Sequence, residues 1–162
     1  MTNEVKKKNS LIIFLDFDGV LHPFFPRGDL SDEENKYFSY VKNFEEAIFS
    51  ILDHFDVKIV ISSTWRINKP IDELKTNFSE KISALVIDIT PEINDEVLYD
   101  GLREMEAKQW LRQNNTYKNW IALDDHPFLW TTKENLVICN DGFRKDEAID
   151  LFKKVYNLKT LS

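Results

Sequence analysis

The chain has a single cysteine, Cys139, among 162 residues, so no intrachain disulfide can form. That thiol sits in the apolar run Leu136 to Cys139, a setting that predicts a buried structural group rather than a reactive one. Histidine is scarce too: His22, His54 and His126, with one cysteine, offer no zinc-ligand spacing. No apolar run approaches the roughly 20 residues of a membrane helix. Met1 to Ser10 is polar and carries Lys6-Lys7-Lys8 where a secretory leader would be apolar, so a cytoplasmic protein is expected. Positive charge is in deficit as well, 21 Lys and Arg against 28 Asp and Glu, which argues against a broad nonspecific nucleic-acid surface.

What is present belongs to a soluble globular chain, 43% hydrophobic and 30% charged, with the length of one domain. Leu11 to Leu15 is an apolar run without polar alternation, suited to a central strand covered on both faces. It stops at Asp16-Phe17-Asp18-Gly19. Two carboxylates this close in a partly dry site repel unless a divalent cation or hydrogen-bond donors lie between them. Val57 to Ile61 is a second such run, ending in Ser62-Ser63-Thr64-Trp65-Arg66; Trp120 to Leu123 is a third, ending in Asp124-Asp125-His126. Parallel strands joined by right-handed crossovers bring all three ends to one sheet edge.

Strands are expected at 11–16, 57–62, 84–88, 119–123 and 136–139, and helices at 43–54, 70–79, 102–114 and 145–157. Such alternation predicts an α/β fold with a three-layer, doubly wound parallel sheet. Residues 1–9 read as a tail, 10–162 as one domain, and 20–40 as a flap that is too short to be a domain of its own. The flap carries Phe24, Phe25, Tyr37 and Phe38, which either shield a site and stack on substrate or anchor the loop to the core. Ile89 to Gly101 reads as a second rim loop.

Together the Asp16-Phe17-Asp18-Gly19-Val20 stretch, the Ser62 strand end and the Asp124-Asp125 strand end resemble motifs I, II and IV of the haloacid dehalogenase (HAD) superfamily. Ser-x-x-Trp-Arg at 62–66, Arg103 to Leu111, and Leu123-Asp124-Asp125 are similar to a small, capless branch whose members include HAD domains associated with RNA repair proteins. The resemblance implies a HAD/Rossmann-like fold and a Mg²⁺-dependent phosphatase. Asp16 would be the nucleophile, and Asp18 the acid and base. Implied metal ligands are Asp16, the Asp18 carbonyl, Asp124 and Asp125. Ser62, or Ser63 if the strand end slips by one, would hold a phosphoryl oxygen. Arg103 or Lys108 would neutralise the phosphoryl group, with Arg103 the better match to the branch. Arg66 either binds substrate phosphate or pairs with a nearby acid. An open site suits a bulky phosphorylated substrate, nucleic-acid ends among them. The reading from another class is an idle HAD-fold module that binds a phosphorylated partner.

Overall fold

The computed structural model describes residues 6–33, 38–93 and 99–161. Of the expected tail, residues 6–8 are exposed coil ahead of the first strand, and 1–5 lie outside the described residues. Five strands form one sheet: β1 (Asn9–Leu15), β2 (Phe55–Ile61), β3 (Val86–Ile89), β4 (Trp120–Asp124) and β5 (Leu136–Ile138). Their order is β3-β2-β1-β4-β5, and every pairing is parallel. This is a single α/β domain with a HAD/Rossmann-like sheet. The chain winds outward from β1 to β3, then returns past β1 to lay β4 on its other side. That reversal makes the β1/β4 junction the switch point, where ligands collect in open α/β sheets.

Helices are α1 (Val41–Ile51), the short α2 (Trp65–Asn68), α3 (Ile71–Lys75) and α4 (Glu80–Ser83), then α5 (Leu102–Gln113) and α6 (Lys145–Leu161). Alternate residues of β1 serve opposite faces. Leu11, Ile13 and Leu15 pack with Phe44, Ile48, Leu151 and Val155 of α1 and α6, whereas Ile12 and Phe14 pack with Ala107 and Trp110 of α5 and with Trp120 and Trp130. Three layers result, as the absence of polar alternation in β1 requires. Expected helix 70–79 is shorter, α3 over Ile71–Lys75, and α4 starts only at Glu80. The side-chain amide of Asn77 caps the Leu74 carbonyl and Ser79 starts α4 by accepting from the Ile82 N–H, each a residue that competes with helix continuation. Among the described residues no helix is long and apolar enough to cross a membrane.

Candidate active site

Register places the chemistry. Leu15 pairs with Ile61 and with Leu123, so the next residues along these strands, Asp16, Ser62 and Asp124, stand side by side at the carboxyl edge. The backbone ladder continues through them: the Asp16 N–H donates to the Leu123 carbonyl and the Ser62 N–H to the Leu15 carbonyl, each at 3.0 Å. Phe17 turns into the α1/α6 core, and Asp16 to the other side of the sheet.

Arg103, in the first turn of α5, reaches between the acids: its Nη1 lies 2.9 Å from Asp16 Oδ2 and 2.5 Å from Asp124 Oδ2. All three side chains are buried. Burial alone would depress the Arg103 pKa, but the facing Asp16 and Asp124 carboxylates reverse this and raise it, so the guanidinium is a permanent charge here. Besides Arg103, Asp124 accepts from the His126 N–H on Oδ1 and from the Trp130 indole N–H on Oδ2, both at 2.9 Å. Arg103 is the cation that faces Asp16 among the described residues. Burial first, and then the Asp124 charge, lift the Asp16 pKa well above the usual carboxylate range.

Asp125 closes the third side. A Cβ at Gly19, where φ is +73°, would lie 2.3 Å from Asp125 Oδ2, so only glycine lets the first motif pass this close to the fourth. His126 Nδ1 stands 2.6 Å from Asp125 Oδ1. Burial raises the Asp125 pKa, and the neighbouring His126 offsets this only in part. Carboxylate oxygens of Asp16, Asp124 and Asp125, with one nitrogen of His126, all lie within 4.8 Å of one another. Three converging carboxylates, two of them pushed up by burial and mutual repulsion, fit a hard divalent cation such as Mg²⁺, whose charge would relieve the repulsion.

The Asp18 carboxylate points elsewhere. Oδ2 accepts from the Trp65 indole N–H at 3.0 Å, and Oδ1 makes an ion-pair contact of 2.9 Å with His22 Nε2. The His22 contact, foremost, and the indole hold its pKa below the usual value although burial opposes them. What Asp18 retains for a cation is its backbone carbonyl, while its side chain remains half exposed.

Among the described residues the buried Ser62 Oγ has no hydrogen-bond partner, whereas Ser63 Oγ accepts from the Trp65 N–H at 3.3 Å. At Arg66 and Lys108 the structure shows an acid as the partner of each. Arg66 gives its guanidinium to the Glu106 carboxylate at 2.8 Å and to the carbonyls of Ser62, Ser63 and Thr90, which leaves it a brace between α2 and α5. Lys108 lies away from the site, half exposed, 3.4 Å from Glu104. Five residues of α-helix turn the chain by about 500°, so Lys108 points roughly 140° away from Arg103.

Sequence reasoning missed the donors that orient the acids. Trp65 and Trp130 read as packing residues, yet each indole N–H serves a site carboxylate. Nothing in the sequence marks them, since both also pack. Thr90, whose N–H continues the ladder onto Ile61, sits next to Ser62 along the edge with an equally unpartnered buried hydroxyl. The flap divides: Phe38 packs edge-to-face on Phe17 and Trp65, Phe24 and Phe25 face solvent, and Tyr37 lies outside the described residues.

Residues 12–148 match the model of a family described as the HAD domain in Swiss Army Knife RNA repair proteins. The chain belongs to this family. HAD domains are phosphatase-like hydrolases, and the acidic cluster of this one is able to hold a metal ion. No curated protein and no solved structure matches the chain.

Proposed function

We propose that this HAD domain is a Mg²⁺-dependent phosphomonoesterase acting through an aspartyl-phosphate on Asp16, with phosphorylated RNA ends as its substrate class. The observation that carries the reading is the Arg103 guanidinium bridging Asp16 and Asp124 with Asp125 beside them. A fixed cation there aligns the nucleophile and balances charge spreading over the phosphoryl oxygens. The RNA-end preference rests on the family's description and on the absence, among the described residues, of a cap domain over the strand edge.

Asp16 attacks phosphorus through a carboxylate oxygen, and the bond from phosphorus to the leaving oxygen breaks. Asp18 in its protonated form gives that oxygen its proton and becomes the carboxylate. Water then passes a proton back to Asp18 as it attacks the acyl phosphate; the bond between phosphorus and the Asp16 oxygen breaks, and inorganic phosphate leaves. Ser62 donates its hydroxyl proton to a phosphoryl oxygen. His22 and Trp65 keep the Asp18 carboxylate oriented between transfers. Asp16, Asp124, Asp125 and the Asp18 carbonyl would hold Mg²⁺, which supplies charge screening between the incoming phosphate and Asp16.

Hydrolysis of an aryl phosphate and of 3′- and 5′-phosphorylated RNA, with Mg²⁺ or with chelator, tests this in wild type and in Asp16→Asn. Turnover abolished by either change is the expected result. A wild-type protein inert toward all of these phosphates would overturn the reading and favour a phosphate-binding module.

A further inference from the structure

Phe24 and Phe25 are the least explained residues of the fold. They are 53% and 70% exposed, consecutive, and set edge-to-face at a centroid distance of 4.8 Å. Monomeric proteins scatter single apolar residues on their surfaces, but a rigid exposed aromatic pair beside a reactive centre needs a reason. Rigidity is built in. Pro23 and Pro26 flank the pair and restrict its backbone, and the Phe24 N–H donates at 2.7 Å to Asp141 Oδ1, tying the loop to the turn after β5.

Between this pair and the catalytic edge lies an open groove of about 530 Å³ lined by Phe24, Phe25, Asp125, His126, Asn140 and Asp141. Asp125 and His126 belong to both groove and metal cluster, so the groove borders the cluster directly. The occupant must therefore be the rest of a molecule whose phosphate sits at Asp16. It must have a flat apolar face for the phenylalanines. Exposed Asn140, with both a donor and an acceptor, meets polar edges. An alkyl or sugar phosphate has no such face; a nucleobase has both the face and the edges.

We infer that Phe24 and Phe25 form a stacking platform for the nucleobase adjoining the scissile phosphate, which makes them specificity-determining residues for a single-stranded nucleic-acid end. This inference rests on the hydrolase reading above but fails separately from it. Neither ring is placed to read one base against another, so stacking without sequence preference is expected.

The test compares phosphorylated oligonucleotides that carry a base or an abasic sugar at the terminal position, with wild type and with the Phe24→Ala/Phe25→Ala double variant. In wild type kcat/KM for the base-bearing end should exceed that for the abasic end by at least about tenfold, carried by KM, which is the scale of one aromatic–base stack. In the double variant the ratio should collapse toward one, and Phe24→Tyr/Phe25→Tyr should restore it. A ratio unchanged by the alanine substitutions, or a wild type indifferent to the base, would overturn the platform while leaving the hydrolase intact. If no phosphate ester is turned over, the hydrolase reading fails. The same four combinations are then read by fluorescence anisotropy of labelled oligonucleotides: base-dependent binding lost in the alanine variant upholds the platform, and binding absent or unchanged overturns it.

Discussion

At the scale of single residues, the groups that matter are those whose polar atoms are left unspent. Ser62 Oγ is buried with no partner among the described residues, so removing it breaks no hydrogen bond seen there. Ser62→Ala should change unfolding free energy by no more than about 0.5 kcal/mol while lowering turnover roughly a hundredfold, the scale of one lost donor to a developing charge. Denaturant melts beside kcat measurements check both halves; a large stability loss with unchanged kcat would assign the hydroxyl to structure. Glu104 shows the opposite logic. It accepts from the Thr131 and Thr132 N–H groups and from the Thr131 hydroxyl, and this outweighs burial and draws its pKa down to about 2. Because the folded value lies below the unfolded one, near 4.3, its contribution is complete above that pH and fades as pH falls toward 2. Glu104→Gln should cost about 1–2 kcal/mol at pH 7, a cost that shrinks steadily between pH 4.5 and about 2. A pH-independent deficit in urea melts would contradict this.

Between elements, Arg66 and Glu106 form the joint. Their contact of 2.8 Å is buried on both sides and pins α2 to α5, while the Arg66 guanidinium also takes the carbonyls ending β2 and β3. Burial lowers the Arg66 pKa and raises that of Glu106, and the facing charge of each partner offsets part of that penalty. Arg66→Ala strands a buried carboxylate and should cost about 3–5 kcal/mol. Adding Glu106→Ala should cost less than the sum by about 1–3 kcal/mol, measured as a double-mutant cycle. Additive losses would mean that no coupling exists. Of the two partners the sequence left open for Arg66, a substrate phosphate or a nearby acid, this joint shows the acid, and the remaining guanidinium donors meet backbone carbonyls.

For the whole molecule the decisive quantity is charge at one edge. A net charge of −7 includes Asp16, Asp124 and Asp125 converging within 4.8 Å. The cluster is able to hold a cation, which would relieve that repulsion. Mg²⁺ at about a hundred times its Kd should raise Tm by roughly 5–10 °C. Asp125→Asn should abolish most of that shift and itself raise the metal-free Tm, since it removes one of the repelling charges. A thermal melt insensitive to Mg²⁺ in wild type would rule out the cluster as a cation site.

Much of this was legible in the chain. An unbroken apolar run such as Leu11 to Leu15 fits only a strand covered on both faces, and three such runs ending in acids or hydroxyls imply a parallel sheet with its chemistry at one edge. Local pattern therefore determined the α/β architecture, the family resemblance and the candidates Asp16, Asp18, Ser62 and Asp124. Direction in space was not encoded locally. Arg103 and Lys108 are five residues apart, and only the packing of α5 against the sheet turned one inward and the other out. Arg66 became a brace and the Trp65 and Trp130 indoles became donors to carboxylates because partners 40, 47 and 6 residues away arrived beside them. Likewise, only the fold separated buried Phe17 from exposed Phe24 and Phe25. Periodicity tells which residues are apolar and how often they recur; which atom meets which is settled by tertiary packing, where a polar side chain takes the nearest buried partner.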